Sequence, residues 1–140
     1  MKIKVKKLDS RSKMPAYAHP GDAGMDLFSL ERMSLRPGER VSCPTGIALE
    51  ISEGYVGLVW DKSGLASKNG IKTMAGVIDS GYRGEIKIVL ANLSQEVYTV
   101  NAGEKIAQLL IQKVENPEIE IVENLSDTVR GDGGFGSTGK

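Results

Sequence analysis

Along most of this chain apolar and polar residues alternate, and turn-forming residues interrupt the alternation every few positions. A period of two puts successive side chains on opposite faces of a strand. Lys2–Leu8 has this pattern, and Met25–Leu30 is a short apolar run. Arg36-Pro37-Gly38-Glu39 reads as a turn leading into a strand over Arg40–Cys43. Gly46–Ile51 and Tyr55–Trp60 read as a strand pair joined by Ser52-Glu53-Gly54. Ile71–Asp79 and Glu85–Leu93 flank the turn-rich Ser80–Gly84. Glu96–Val100, Lys105–Val114 and Ile119–Val122 complete the strands, with a turn at Asn101-Ala102-Gly103. The one helical candidate is Ser63–Lys68, stopped by Asn69-Gly70. Many short strands with regular turns predict an all-β fold, a jelly-roll-like barrel or sandwich with one short helix.

Two of these strands are apolar on both faces. Ile86, Ile88 and Leu90 oppose Val89, Ala91 and Leu93; Ile106 and Leu110, beside Gln108, oppose Ala107, Leu109 and Ile111. Such strands need cover on both sides. A chain of 140 residues has few positions that offer it, so the pattern points to an oligomer in which subunits supply the cover, or else to an unusually thick monomeric core.

The length fits one domain with a real core. The expected division is a domain over 1–125 and a flexible glycine-rich arm over 126–140. Eighteen basic and 18 acidic side chains give a formal net charge of zero. That argues against a nucleic-acid or membrane-surface binder, which needs excess positive charge. Cys43 is the only cysteine and His19 the only histidine, which excludes an intrachain disulfide and an ordinary Cys/His zinc site. The opening MKIKVKKL alternates and is not a signal-like apolar stretch. The expectation is a soluble, cytoplasmic protein.

Five segments break the strand pattern with polar or glycine-rich chemistry. In Ala23-Gly24-Met25-Asp26-Leu27 a carboxylate sits among apolar neighbours, as a turn group or facing a metal. In Asp61-Lys62-Ser63-Gly64-Leu65-Ala66 a strand gives way to a helix, where Ser63 either caps or helps the free N–H groups bind an anion. In Gly76–Ile86, Asp79 ends a strand at a hairpin, as an Asx-turn residue or as a carboxylate able to deprotonate water. Gln108 is an amide inside an apolar strand, costing about 1–3 kcal/mol unless it finds a partner. The last segment is Arg130–Lys140, RGDGGFGSTGK. Its glycines allow close backbone approach, Arg130 matches phosphate, Ser137 and Thr138 donate, and Phe135 offers a stacking face. Such composition is also that of a disordered end.

Taken in order, AGMDL, KSGLA, GVIDSGYRGEI, GEKIAQLL and RGDGGFGSTG resemble the five motifs of the homotrimeric dUTP pyrophosphatases, over about Pro15 to Lys140. The resemblance implies a β jelly-roll that hydrolyses dUTP to dUMP and pyrophosphate with Mg²⁺. It implies Asp79 as general base and Tyr82 packed under the deoxyribose, leaving no room for a 2′-hydroxyl. Gly76, Val77, Ile78 and Asp79 would read the uracil edge and exclude a 5-methyl group. Asp26 would hold a water of the Mg²⁺ shell, and Ser63, Gly64 and Gln108 would contact phosphates. Arg130, Gly136, Ser137 and Thr138 would bind the γ-phosphate end, with Phe135 stacked on uracil. The arm would reach a site shared by three subunits. Lys62 stands where the family usually has Arg, keeping charge but losing the bidentate fork, either to contact phosphate or to hold the site together. Gly81 replaces a residue that is often acidic in relatives. The rival readings are a dCTP deaminase of the same fold, for which Glu85 would activate water, and a non-catalytic nucleotide- or protein-binding module. The tripeptide Arg130-Gly131-Asp132 by itself also fits adhesion.

Overall fold

The computed structural model describes residues 2–134. Its strands are β1 (Lys4–Lys7), β2 (Met25–Phe28), β3 (Met33–Leu35), β4 (Arg40–Glu50), β5 (Tyr55–Trp60), β6 (Ile71–Met74), β7 (Val77–Ile78), β8 (Glu85–Asn92), β9 (Tyr98–Val100) and β10 (Lys105–Lys113). The helix α1 spans Ser63–Asn69. Two four-stranded sheets form, ordered β1-β4-β8-β6 and β2-β10-β5-β7, with β3 and β9 as a separate two-stranded ribbon. The all-β expectation holds in its sandwich form, and among the described residues no closed barrel forms.

Both sheets turn their apolar faces to one core. Leu27 and Leu109 enter it from the second sheet, Cys43, Ile47 and Leu90 from the first, each at most 1% exposed. Burying a side chain of this size is worth about 1.5–3 kcal/mol. Alternation along β8 puts Ile86, Ile88 and Leu90 inward. On its other face Val89 and Ala91 are only half-buried, and Leu93 just beyond it is 69% exposed. Among the described residues the second apolar face of this strand is only partly covered.

Several expected boundaries differ. Arg40–Cys43 and Gly46–Ile51 merge into the single strand β4, with a register shift between Pro44 and Ala48 where the strand passes Glu85. The expected pairing of Gly46–Ile51 with Tyr55–Trp60 does not form. β4 pairs with β1 and β8, whereas β5 pairs with β10 and β7. The turn at Ser52–Gly54 thus carries the chain from one sheet to the other. β3 has no counterpart among the expected strands, because Met33-Ser34-Leu35 is too short for periodicity to register. Ile119–Val122 forms no strand, and Ile119 and Ile121 stand almost wholly exposed at 89% and 96%. A strand exists only against a partner strand, and none of the described residues pairs with this segment.

Asn92 joins the ribbon to the first sheet. Its buried Nδ2 donates to the carbonyls of Leu35 (2.9 Å) and Glu96 (2.7 Å). Its Oδ1 accepts from the backbone N–H and hydroxyl of Ser94. Every polar atom of the amide is thus occupied, which is what allows it to sit at 0% exposure.

Ile71–Asp79 is not one strand either. β6 pairs with β8 in the first sheet and β7 with β5 in the second, so the chain changes sheets at Ala75-Gly76. Ala75 takes φ 61° and Gly76 φ 115°. The carbonyl of Gly76 accepts the Val59 N–H at 2.8 Å, and a Cβ on Gly76 would lie 2.8 Å from the Val59 carbonyl oxygen. Glycine is required there for both torsion and space. Gly76→Ala is expected to lower the free energy of unfolding by about 1–3 kcal/mol. The midpoint of urea denaturation measures it, and an unchanged midpoint would show that the crossing is not fixed by this residue.

Candidate active site

Three strands of the second sheet set one row of side chains. Gln108 on β10 lies opposite Asp26 on β2 and opposite Trp60 on β5. Directly opposed residues of paired strands share a face, so carboxylate, amide and indole form one row. A hollow of about 440 Å³ opens over it, lined also by Asp22, Gly24, Asp61 and Lys62.

Asp26 is 3% exposed. Lys62 Nζ donates to its Oδ1 at 2.5 Å, and Lys105 Nζ approaches Oδ2 at 2.7 Å. Burial pushes this carboxyl upward, but the hydrogen bonds from Lys105 and Lys62 outweigh it and hold Asp26 below the usual carboxylate range. It is an anion clamped by two cations. The side chain of Lys62 has one hydrogen-bonded partner here, a point charge rather than a fork, and a single ammonium suits a single oxygen. Gln108 meets its need for a partner by donating from Nε2 to the Asp61 carbonyl at 2.9 Å.

Asp61 fixes this corner from the other side. Its Oδ1 accepts from the Thr73 N–H and hydroxyl, both at 2.6 Å, and its Oδ2 meets Lys72 Nζ at 2.9 Å. The end of β5 is thus fastened to β6, and Lys62 follows directly. Burial raises the Asp61 pKa, but the bonds from Lys72 and Thr73 bring it below its ordinary value of 3.8. Ser63 begins α1, while Lys62 occupies the N-cap position with no side-chain cap bond. Ser63 therefore does not act as the N-cap. Ser63 and Gly64 are exposed beside the hollow rather than among its lining residues.

A second hollow of about 250 Å³ is lined by Val59, Gly76, Val77, Ile78, Asp79, Tyr82 and Glu85, among others. Of the Gly76–Ile86 segment, Gly76 to Asp79, Tyr82, Glu85 and Ile86 are gathered here, while Ser80 and Gly81 are not among the lining residues. Asp79 is exposed, and its carbonyl accepts the Tyr82 N–H at 3.1 Å, closing the turn. Arg83 staples the turn by donating from Nη1 to the carbonyls of Ser80 (2.6 Å) and Tyr82 (2.9 Å). The Tyr82 hydroxyl donates to the Glu85 carbonyl at 3.0 Å. Glu85 is engaged as well, for its Oε1 accepts the Gly46 N–H at 2.9 Å.

The two hollows share no lining residue. One chain therefore brings Asp26, Lys62 and Gln108 together, and separately Gly76 to Tyr82, without merging the two groups. Arg130 belongs to neither: its Nε donates to the Gly133 carbonyl at 2.9 Å, within a turn closed by Gly133 N–H to Arg130 carbonyl. Phe135, Gly136, Ser137 and Thr138 lie outside the described residues. Sequence reasoning did not single out Lys105, Asp61, Trp60 or Gly24 as site residues. Lys105 lies in the quoted GEKIAQLL, three residues before Gln108, a spacing that a strand bulge converts into a shared neighbour, Asp26. Gly24 leaves room for Gln108, whose Oε1 would lie 2.7 Å from an added Cβ.

The fold and these motifs define a jelly-roll-like nucleotide hydrolase class, and comparison with known proteins narrows it. The dUTPase family model matches residues 10–139. A deoxyuridine 5′-triphosphate nucleotidohydrolase from Nautilia profundicola is 50% identical over 142 residues, covering 100% of both chains. One from Mycolicibacterium gilvum is 47% identical over 145 residues, covering 98% of this chain and 94% of its own. Among solved structures, the Staphylococcus bacteriophage 80alpha dUTPase with dUPNHPP superimposes with a TM-score of 0.94 at 34% identity, covering 99% of each chain. A mutant dUTPase from phage phi11 of S. aureus, described with a coordinated structural Mg(II) ion, gives 0.83 at 33% identity, over 89% of this chain and 98% of its own. The chain belongs to the dUTPase family.

Asp61 links the local fold to pH. A carboxyl with a depressed folded pKa stabilises the protein above its unfolded pKa, and the contribution is lost as pH falls through the folded value. Asp61→Ala should cost about 1.5–3 kcal/mol near neutral pH, and the gap to the parent should narrow as pH falls below 3.8. Thermal melts across pH measure this, and a pH-independent gap would remove the charged role.

Proposed function

We propose that this chain hydrolyses dUTP to dUMP and pyrophosphate, which limits uracil incorporation into DNA and supplies dUMP for dTMP synthesis. The observation that carries this reading is the gathering of Gly76, Val77, Ile78, Asp79 and Tyr82 around one hollow, with Asp79 exposed at its edge. The backbone of Gly76, Val77 and Ile78 reads the uracil edge, and Tyr82 packs under the deoxyribose. Asp79 takes a proton from water as the water oxygen bonds to the α-phosphorus. The bond from that phosphorus to the bridging oxygen breaks, and pyrophosphate leaves. Phosphoryl chemistry of this kind asks for positioning and charge neutralisation rather than a covalent nucleophile.

The phosphates are bound at the Asp26–Gln108–Trp60 row, with Ser63, Gly64, Gln108 and Lys62 as the contacting groups. Lys62 is shared there between phosphate and Asp26. Among the described residues no three His, Cys, Asp or Glu side chains form a metal cage. Two of the lone-pair sites of Asp26 already accept from ammonium groups. That donor set fits Mg²⁺ as an ion held mainly by phosphates and water, with Asp26 holding one water of its shell. Bound with the triphosphate, Mg²⁺ supplies charge neutralisation.

Because the two hollows are separate in one chain, the site is completed in a homotrimer, in which one subunit's Gly76–Tyr82 faces another's phosphate row. The half-buried outer face of β8, continued by exposed Leu93, supports such an assembly. Residues 126–140 act as an arm beyond a domain over 1–125. The arm closes over a site and brings Arg130, Phe135, Gly136, Ser137 and Thr138 to the substrate, excluding water. The assignment to the cytoplasm rests on the single buried Cys43, which suits a reducing compartment. Among the described residues no helix is long and apolar enough to cross a membrane.

The dUTPase reading is favoured over a dCTP deaminase by Glu85, whose carboxylate already holds the Gly46 N–H. Pyrophosphate release with Mg²⁺, measured across dUTP, dTTP, dCTP and UTP, should be confined to dUTP; ammonia from dCTP would overturn the assignment. Asp79→Asn should lower kcat by about 10²–10⁴-fold while dUTP binding persists, and an equal loss of binding would count against a base. Removing residues 130–140 should cripple turnover yet leave the melting profile and trimer intact; full activity of the truncated chain would remove the arm from the mechanism.

A further inference from the structure

Gly84 follows the stapled turn and immediately precedes the strand β8. Its backbone torsion lies outside the left-handed region, so conformation alone does not demand glycine there. Space does. A Cβ built on Gly84 would overlap the Tyr82 hydroxyl and lie 2.6 Å from ring carbon Cζ and 3.0 Å from Cε2. Its three nearest neighbours are all atoms of the Tyr82 side chain. The ring therefore lies directly over the bare α-carbon of Gly84, with its hydroxyl anchored to the next carbonyl, that of Glu85. Arg83, between the two, holds the Tyr82 carbonyl and fixes the backbone from which the ring projects.

We infer that Gly84 is a specificity-determining position for the sugar, acting through Tyr82: its missing side chain seats the ring at the height that excludes a 2′-hydroxyl. The inference deepens the proposed function and rests on its reading of Tyr82. An added methyl cannot be absorbed by the backbone, which Arg83 and the start of β8 hold. It is absorbed by the ring, which is the free end of a half-exposed side chain, 47% accessible. Tyr82 then leaves its seat and loses the bond to Glu85, while the fold pays little. Gly81, in the same turn, is the internal comparison. Nothing lies within 4 Å of a Cβ built on it, and its φ is likewise not left-handed. Gly84 is a positioning residue, for it touches Tyr82 and acts only through it.

The test is the ratio of kcat/KM for dUTP to that for UTP in the full-length protein with Mg²⁺, for the parent, Gly84→Ala, Gly81→Ala, Tyr82→Phe and Tyr82→Ala. A displaced packing surface of this size is worth roughly tenfold or more in discrimination. Gly84→Ala should lower the dUTP/UTP ratio by about tenfold, chiefly by raising activity on UTP relative to dUTP. Tyr82→Ala should lower it at least as far, Tyr82→Phe less, and Gly81→Ala should leave it unchanged. A general loosening of the protein would depress both substrates together and leave the ratio where it was, and that outcome overturns the inference. A fall in the ratio with Tyr82→Ala but none with Gly84→Ala overturns it too, while preserving the proposed role of Tyr82. No change with Tyr82→Ala removes that role and the inference with it. If Gly84→Ala does not fold, judged by circular dichroism, the methyl was absorbed by the backbone and not the ring, which is also a refutation.

Discussion

A buried carboxylate is tolerable only with its charge met, and the phosphate half of the candidate site is built on that requirement. At 3% exposure Asp26 is held as an anion by its pairing with Lys105 and Lys62. Those cations come from the end of β5 and the start of β10, the strands that with β2 make most of the second sheet. Pairing one anion with both therefore locks three segments of that sheet in register. Losing both partners would leave an uncompensated charge in the interior, whereas losing one leaves a single pair. Asp61 adds a second fastening from the opposite side, to Thr73 and Lys72, and its carbonyl receives Gln108. The result is a rigid row of polar groups on an otherwise apolar sheet.

The base-side half is held differently. No buried charge anchors Asp79 or Tyr82; both are exposed, and short-range hydrogen bonds within the turn position them. What makes this turn stiff is where it begins. The chain changes sheets at Ala75-Gly76 in two successive positive-φ residues, one of them not glycine. The left-handed conformation costs a non-glycine residue about 1–2 kcal/mol, so Ala75 keeps it only because β6 and β7 on either side are each committed to a different sheet. Past that crossing Ile78 is buried in the core, while Val77, Asp79 and Tyr82 are exposed. Under the proposed function, an outward-facing half-site and a recessed phosphate row are the two surfaces that a neighbouring subunit would bring together.

Exposed apolar surface has the same logic. Leu93 beyond β8 and Ile119 and Ile121 after β10 lie open to solvent in the single chain. Scattered exposed apolar residues are ordinary, but these continue faces and segments whose pattern is that of buried strands. The pattern of Ile119–Val122 is that of a strand, but none of the described residues pairs with it. The two doubly apolar strands differ: in β10 the chain itself buries Ile106, Ala107 and Leu109 from both faces, whereas in β8 Val89 and Ala91 stay half-buried.

By itself, the sequence determined the fold class, most strand positions, the helix and its stop at Gly70, and the segments in which chemistry would sit. All of these rest on local signals: a period of two, turn residues, and ordered motifs. Gly76 to Tyr82 could be found because those residues are contiguous. The tertiary structure alone decided which strands pair, since the merger of β4, the crossings at Ser52–Gly54 and Ala75-Gly76, and the ribbon of β3 depend on partners far along the chain. It alone decided that Asp26 carries two lysines, that Asp61 braces the row, and that Gly84 is bare to seat a ring. Periodicity reports which face of a strand is apolar, but not what meets that face, because contact between distant segments follows from packing both sheets against one core.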